Sequence, residues 1–235
     1  MIPIGDVHPR RRFPVVNVAI ITLNVLVFLY QFSLPQEAAV ELIMRGGMIP
    51  NEVTSGLGLS EATTLLTSMF MHGSWLHLLG NMLYLWIFGD NIEDVMGDGA
   101  FLLFYLAAGI AAAFAQIAVS PISTVPTIGA SGAVAGVLGA YLALFPHARV
   151  RTLIFVFRFI RLVELPAIIV LGFWFVLQVF NGLASLGMMG TTGGVAWFAH
   201  IGGFVAGLLV GWRLRKKNPP QPPQPSRHRR TFYSR

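Results

Sequence analysis

Six long apolar segments are the feature that most constrains how this chain of 235 residues can fold. Each is about 20 residues long, which is the length that an α-helix needs to cross the hydrocarbon core of a bilayer. The segments are Val15–Leu34, His72–Gly89, Ala100–Ser120, Ile128–Phe145, Val163–Leu183 and Val195–Leu214. They predict an all-α, polytopic membrane protein built as a bundle of six transmembrane helices.

The composition also favours a membrane protein. Charged residues make up 11% of the chain and apolar residues 55%, against about 25% and about 45–50% in ordinary soluble domains. So few charged side chains cannot cover the surface of a soluble domain of this size, and the high apolar content excludes a disordered chain. The chain has no cysteine, which excludes disulfides, thiolate metal sites and a cysteine nucleophile.

The basic residues are distributed unevenly among the loops. Fifteen of the 16 Lys and Arg residues precede the first segment, separate the fourth from the fifth, or follow from the end of the sixth; Arg45 is the exception. The positive-inside rule then predicts cytoplasmic termini and an even number of spans. We expect a cytoplasmic N-terminal segment (1–14), a six-helix domain (15–214) and a Pro/Arg-rich cytoplasmic tail (215–235). The net charge of +6 therefore reflects topology, and no nucleic-acid partner is expected.

Strongly polar side chains within the segments are few. They are Asn17, Thr22, Asn24, His77, Asn81, Gln116, Ser131, Gln178, Asn181 and His200. No Asp, Glu, Lys or Arg lies deep in a segment, which argues against an ion pump or a voltage sensor. The same absence removes the acidic member of a Ser-His-Asp triad.

Four of these polar residues share one depth in the membrane. The second, fourth and sixth segments run in the same direction, and His77, Asn81, Ser131 and His200 all lie within about 15 Å of their outer ends. Small residues let helix backbones approach closely, and both the fourth and the sixth segments carry glycines at such spacing. These glycines are Gly129, Gly132, Gly136, Gly139, Gly203, Gly207 and Gly211. Close packing of the two segments would bring Ser131 and His200 within hydrogen-bond range.

A serine hydroxyl beside a histidine is the minimum for a hydrolytic nucleophile, because the imidazole removes the hydroxyl proton during attack. Ser131 is predicted near a helix start, where free N–H groups favour the negative charge of an oxyanion. His77 and Asn81 add side-chain donors on one face of their helix. With no carboxylate at this depth, the residues predict a Ser131–His200 dyad rather than a triad.

Structural interpretations of the same residues stay open at this point. Ser131 alone is typical of a small packing residue in a Gly-rich helix, and His77 with Asn81 could connect helices by hydrogen bonds. Zinc bound by His72, His77 and His200 would lack a fourth protein ligand. A transporter would be expected to have broken helices near the midplane, whereas the Gly-rich start of the fourth segment lies at one end.

The motifs around these residues resemble those of the rhomboid family. Gly129-Ala130-Ser131-Gly132 resembles G-x-S-G, and Ala199-His200-Ile201-Gly202-Gly203 followed by Gly207 resembles A-H-x-x-G-x-x-x-G. His77 and Asn81 match H-x-x-x-N, His72 falls where many members have a histidine, and Gly89, Glu93 and Gly97 match G-x-x-E-x-x-x-G. The motifs occur in the family's order over residues 1 to about 214 and are similar to those of a prokaryotic six-span subgroup.

The resemblance implies an intramembrane serine protease without a cofactor or metal. Ser131 would be the nucleophile and His200 the general base and then acid, with the Ser131 N–H, His77 and Asn81 as the oxyanion hole and Gly129, Gly132, Gly203 and Gly207 as motif glycines. Its partners would be the lipid bilayer and single-span membrane proteins, cut near the outer ends of their helices, and its location a bacterial or archaeal plasma membrane. The alternative is a non-catalytic, rhomboid-like binding or quality-control protein.

Other parts of the chain match or depart from the family. The Gly187–Gly194 stretch and the aromatic residues Phe173, Trp174 and Phe175 resemble its cap and side gate, and Glu93 is expected to brace the cytoplasmic end. Thr63-Thr64 stands where many members have Trp-Arg. Ala135 stands where some members have a tyrosine that stacks on the catalytic imidazole, so His200 must be oriented by glycine packing or by another neighbour.

Overall fold

The computed structural model describes residues 1–8, 11–156, 158–186 and 194–217. In chain order its helices are α1 (Val15–Ser33), α2 (Gln36–Gly46), α3 (Pro50–Ser55), α4 (Leu59–Thr67), α5 (Trp75–Met96), α6 (Asp98–Val119), α7 (Ser131–Leu144), α8 (Ala167–Ser185) and α9 (Trp197–Lys217). Its strands are β1 (Ile2–Asp6), β2 (Arg149–Val156) and β3 (Phe159–Pro166). The protein is therefore mostly helical, with a small sheet.

Four of the described helices are long and apolar enough to cross a membrane: α1, α6, α8 and α9. The apolar helix α7 has only 14 residues, and α5 is more polar because its last turns hold Asp90, Glu93 and Asp94. Each predicted segment nevertheless overlaps one of the helices α1, α5, α6, α7, α8 and α9. The chain therefore has four candidate spans together with shorter helices, and the six-span count remains a prediction.

Helices α5 and α7 begin later than the predicted segments that they correspond to. Helix α5 begins at Trp75 rather than at His72, because the Ser74 hydroxyl oxygen accepts the backbone N–H of His77 at 3.2 Å and caps the first turn. Helix α7 begins at Ser131 rather than at Ile128, so Ser131 is its first residue.

The expectation of an all-α fold is wrong in one region. Strands β2 and β3 form an antiparallel hairpin within what was predicted as a loop and the start of the fifth segment, and β1 pairs with the other edge of β2. Alternate residues of β2, among them Val150 and Thr152, are buried while Arg149 and Arg151 are exposed. This period of two is the strand signal. Pro166 is the last residue of β3 and directly precedes α8.

The long loop after α1 also contains more structure than expected. Residues 36–67 form α2, α3 and α4, followed by a short 3-10 helix at Ser68–Phe70. Pro50 occupies the first turn of α3, where its missing N–H costs nothing. The N–H of Gly58 donates to the Glu61 side chain at 3.0 Å at the start of α4. Of these helices, α3 and α4 pack against α6.

Asp6 ties the sheet to the helix bundle. Its Oδ2 atom accepts hydrogen bonds from the Tyr141 hydroxyl of α7 at 2.7 Å and from Asn91 Nδ2 of α5 at 3.0 Å. Burial raises the pKa of the Asp6 carboxyl, an effect that the hydrogen bond from Tyr141 opposes. The predicted N-terminal segment 1–14 is thus attached, through its first strand, to the end of the bundle opposite Ser131.

Glu93 braces the same end of the bundle, as predicted. Its carboxylate is buried and accepts the backbone N–H groups of Val16 at 3.0 Å and Asn17 at 2.7 Å, in the first turn of α1. A carboxylate at a helix N-terminus satisfies N–H groups that have no intrahelical acceptor. The Arg12 side chain donates to the Glu93 carbonyl oxygen at 3.1 Å, which holds the start of α1 against the end of α5.

Helix α7 lies in the core and packs closely against α9. A Cβ atom on Gly203 or Gly207 would overlap the carbonyl oxygen of Gly132 or Gly136, respectively. On the α7 side, a Cβ on Gly139 would overlap the carbonyl oxygen of Phe204. The glycine spacing therefore forms a direct backbone-to-backbone contact, as expected for small residues at the helix interface.

Two predicted regions fall largely outside the described residues. They are the loop resembling a cap, of which only Gly194 is described, and the proline-rich part of the tail from Asn218 onward. Residues 215–217, predicted as the start of the tail, continue helix α9. Of the three aromatic residues predicted as a gate, Phe173 is exposed, whereas the Trp174 and Phe175 rings pack on Phe204 of α9.

Candidate active site

Three helices begin at the same end of the bundle and bring the predicted site residues with them. Ser131 is the first residue of α7, His77 the third of α5 and His200 the fourth of α9. Asn81 follows His77 by about one turn. The first turn of each helix carries N–H groups without intrahelical acceptors, so this end of the bundle is rich in hydrogen-bond donors.

The turn before Ser131 depends on Gly129. Its backbone has φ +127°, a conformation that side chains other than glycine rarely adopt. The Gly129 N–H donates to the Ser68 carbonyl oxygen at 2.9 Å. A Cβ atom at Gly129 would lie 2.6 Å from the His77 imidazole, so the glycine lets the histidine ring approach the start of α7.

Ser131 and His200 form a direct hydrogen bond. The Ser131 Oγ and His200 Nε2 atoms lie 2.7 Å apart. His200 is 9% exposed, and Ser131 is half-buried beside it. The close contact between Gly132 of α7 and Gly203 of α9 helps to set this distance, because Gly132 directly follows Ser131 and Gly203 lies one helical turn after His200.

Two tryptophan rings lie beside the His200 imidazole, whereas Ala135 provides no aromatic side chain to stack on it. The rings of Trp174 and Trp197 have centroids 6.0 Å from the imidazole, one tilted by 32° and one edge-on at 86°. The second ring nitrogen, Nδ1, lies 2.8 Å from Gln178 Oε1. An amide from α8 therefore occupies the position next to the histidine where a triad would have a carboxylate.

Sequence reasoning counted Gln178 among the scarce polar residues but assigned it no role. Helix α8 runs opposite to α5, α7 and α9, so Gln178 lies in the later half of its helix and was not placed at the depth of His200. Its spacing from Ser185, the end of α8, is seven residues, or about 10 Å. Counting depth from the ends of all helices, whatever their direction, would have found it.

His77 and Asn81 line the same cavity as Ser131, His200 and Gln178. The cavity has a volume of about 1440 Å³. Asn81 is buried, and its Nδ2 has no hydrogen-bond partner among the described residues. A buried amide donor without a partner is costly unless something binds it, so Asn81 has a donor available for a ligand in the cavity.

His72 was considered above as a zinc ligand together with His77 and His200, and the structure shows what it contacts. His72 packs edge-on against the His77 ring, with centroids 5.0 Å apart, and its backbone N–H donates to Gln31 Oε1 at 3.1 Å. His72 thereby connects α1 to the start of α5. Within the described part of the chain, no group of three His, Asp or Glu side chains is placed to hold a metal ion.

The sequence that forms this site also matches a known protein family. A model of the rhomboid domain matches residues 59–217. This range contains Ser131, His200, His77, Asn81 and Gln178. The chain belongs to the rhomboid family.

The chain is also similar in sequence to individual rhomboid proteins. The chain is 33% identical over 182 residues to "Rhomboid protease GluP" of Bacillus subtilis, covering 72% of this chain and 32% of that protein. It is 32% identical over 157 residues to "Rhomboid protein 1, mitochondrial" of Saccharomyces cerevisiae, covering 65% and 42%. It is 31% identical over 158 residues to "Rhomboid-like protein 11, chloroplastic" of Arabidopsis thaliana, covering 64% and 52%.

The chain thus spans between about a third and about a half of the length of these relatives. The names of these relatives describe a protease, a mitochondrial protein and a chloroplast protein. Rhomboid membership therefore establishes a multi-pass membrane protein, while the particular membrane and the activity of this chain are matters for a proposal.

Proposed function

We propose that this chain is an intramembrane serine endopeptidase of the prokaryotic six-span type. The observation that carries the proposal is the 2.7 Å contact between Ser131 Oγ and His200 Nε2 beside a cavity. A serine activated by an adjacent base is the usual nucleophile of acyl transfer without a metal. The protease named among the relatives supports the same activity.

In the proposed reaction, Ser131 Oγ attacks the carbonyl carbon of the scissile peptide bond while His200 Nε2 accepts the hydroxyl proton. The resulting imidazolium then gives this proton to the departing amine. A water molecule, activated in the same way by His200, releases the acyl group from Ser131. The two residues thus complete both half-reactions without a third ionised group.

The developing oxyanion would be bound by donors at the helix starts. The Ser131 N–H belongs to the first turn of α7, where the helix dipole favours negative charge. His77 lies against Gly129, and Asn81 supplies an Nδ2 donor that has no partner within the described residues. Together they form the proposed oxyanion hole.

The distribution of Lys and Arg residues among the loops supports the orientation that we propose for the chain in its membrane. Both termini are cytoplasmic in a bacterial or archaeal plasma membrane, with segment 1–14 and tail 215–235 on that side of the six-helix domain. The Ser131 end of the bundle then lies toward the outer face. The substrates are transmembrane helices cut near that face, where a helix can unwind and expose a peptide bond.

Reaction with a fluorophosphonate probe tests this function. We expect the detergent-purified protein to be labelled on the peptide that contains Ser131, and labelling to vanish in Ser131→Ala and His200→Ala. Ser123→Ala is the matched control, because Ser123 lines the same cavity and has no assigned role. Labelling that persists in both site variants would overturn the proposal. Lack of labelling in a folded wild-type protein would favour the non-catalytic rhomboid-like alternative.

Asn81→Ala is expected to lower kcat by about 10²- to 10³-fold while leaving the fold intact, because loss of one oxyanion donor has this cost in soluble serine proteases. The measurement is cleavage of a model transmembrane substrate, with thermal unfolding in detergent as the control for folding. A decrease well below tenfold would make Asn81 a structural residue.

A further inference from the structure

Gln178 is a buried polar residue to which the proposed reaction assigns no role. Its side chain is 6% exposed and contacts His200 on the side of the imidazole opposite Ser131. We propose that Gln178 is a positioning residue that holds His200 in the one tautomer able to act as a base toward Ser131. This proposal rests on the proposed function for its kinetic consequence, but its structural part can be tested without it.

The hydrogen-bond roles decide the tautomer. The amide oxygen Oε1 of Gln178 can only accept, so the His200 Nδ1 atom that lies 2.8 Å away must carry a hydrogen. A neutral imidazole carries one hydrogen on its two nitrogens. Nε2 is therefore left with its lone pair facing Ser131 Oγ at 2.7 Å, and the serine hydroxyl donates to it. This is the arrangement that general-base catalysis requires.

The orientation of the amide is itself determined by a neighbour. Gln178 Nε2 donates to the backbone carbonyl oxygen of Trp174 at 3.2 Å. In the flipped amide, Oε1 would face this carbonyl oxygen, and two acceptors would be in contact. The Trp174 carbonyl thus selects the rotamer in which Oε1 faces His200, because amide orientation follows from the hydrogen-bond network.

A neutral amide suits this location better than a carboxylate would. Both His200 and Gln178 are at least nine-tenths buried, and an ionised carboxylate in such surroundings carries a desolvation cost of several kcal/mol unless it is well paired. The amide dipole still favours the imidazolium that forms when the Ser131 proton is transferred. Gln178 therefore performs the orienting task of the acidic triad residue without adding a buried charge.

Histidine tautomers can be measured directly by NMR. In protein labelled with ¹⁵N-histidine, we expect wild-type His200 to be the Nδ1–H tautomer. Gln178→Met keeps the length of the side chain but removes the oxygen acceptor, and we expect it to populate the other tautomer. Comparison with His200→Ala assigns the signal among the six histidines.

Gln116→Leu provides a matched control. Gln116 is another glutamine within the bundle, and its Oε1 accepts the backbone N–H of Ala199 at 3.3 Å, next to His200. Its loss should change stability without changing the tautomer. An unchanged His200 tautomer in folded Gln178→Met, or the same change in Gln116→Leu, would overturn the proposal.

The kinetic test separates positioning from packing. We expect Gln178→Met to lower kcat for a model transmembrane substrate by about 10- to 100-fold with KM within about twofold, because a misprotonated histidine weakens the base. Gln178→Glu keeps an oxygen acceptor at the same reach and should recover part of the kcat, because the acceptor is retained while the buried carboxylate carries a desolvation cost. Equal losses in both variants, or a change confined to KM, would contradict a positioning role.

The two proposals fail in distinguishable ways. If the wild type neither cleaves nor reacts with the fluorophosphonate probe, the protease function fails, whereas the NMR comparison still decides whether Gln178 sets the tautomer. If the wild type cleaves and Gln178→Met cleaves equally fast with a changed tautomer, only the proposed role in catalysis is overturned.

Discussion

Ser131→Ala is expected to lower the kcat for cleavage of a transmembrane substrate by at least about 10⁴-fold, and His200→Ala by a similar factor, because the two side chains act as one unit. No neighbouring hydroxyl can replace Ser131: of the described hydroxyl groups, only Ser131 Oγ is bonded to the His200 ring. The loss should appear in kcat and leave substrate affinity nearly unchanged.

The double variant Ser131→Ala/His200→Ala is the informative comparison. Since each change alone removes the nucleophile–base pair, the double variant should be no slower than either single one. Ser123→Ala is the control for loss of a hydroxyl from the same cavity. A multiplicative loss in the double variant, or retention of a tenth of the wild-type rate in either single one, would show that the pair does not work together.

Gly207→Val is expected to have the largest effect on stability. A Cβ at this position would overlap the carbonyl oxygen of Gly136, and a backbone atom cannot rotate away as a side chain can. Helix α9 must then move away from α7 at a cost of about 3 kcal/mol or more in the free energy of unfolding. The same movement would separate His200 from Ser131. SDS titration in detergent micelles measures the stability, and fluorophosphonate labelling measures the integrity of the site.

Gly172→Val is the matched control for this variant. Gly172 is also a glycine within an apolar helix, but nothing lies within 4 Å of the position that its Cβ would occupy. We expect this variant to unfold within about 1 kcal/mol of the wild type, since it changes only helix propensity. Similar losses in both variants would mean that glycine is required for helix geometry and not for the contact with α7.

The parts of the fold that could be predicted correctly from the sequence are those in which the residue type itself limits what can pack against it. The glycines at Gly203 and Gly207 predicted close packing because only small residues allow backbones to touch, and they do touch α7. Glu93 was predicted to brace an end of the bundle, and it caps α1. The rhomboid family follows from motifs whose order and spacing are themselves specific.

The parts that sequence reasoning missed depend on contacts between distant segments. Strand β1 forms because β2 offers an edge about 145 residues later in the chain, and a hydropathy profile does not show such pairing. Gln178 was missed because its importance arises from where α8 passes α9, and not from any motif around it. The interior of the loop before α5 folded into short helices that local capping at Pro50 and Glu61 could have indicated.

The short length of α7 has a consequence for the membrane around it. Its 14 residues measure about 21 Å, whereas the hydrocarbon core is about 30 Å thick. A helix this short in contact with lipid would suffer hydrophobic mismatch and thin the bilayer. All residues of α7 except Ser131 and Leu142 are buried, so other helices surround it and lipid does not.

Helix α7 is about 9 Å shorter than the hydrocarbon core, and the chain directly before Ser131, residues 120–130, is not helical. Irregular backbone is tolerated at membrane depth only where protein buries it or where it lines a cavity, and residues 120–129 line the cavity next to Ser131. The number of turns in α7 therefore sets how far beneath the lipid surface the hydroxyl group lies. One additional turn would move it by about 5 Å toward the headgroups.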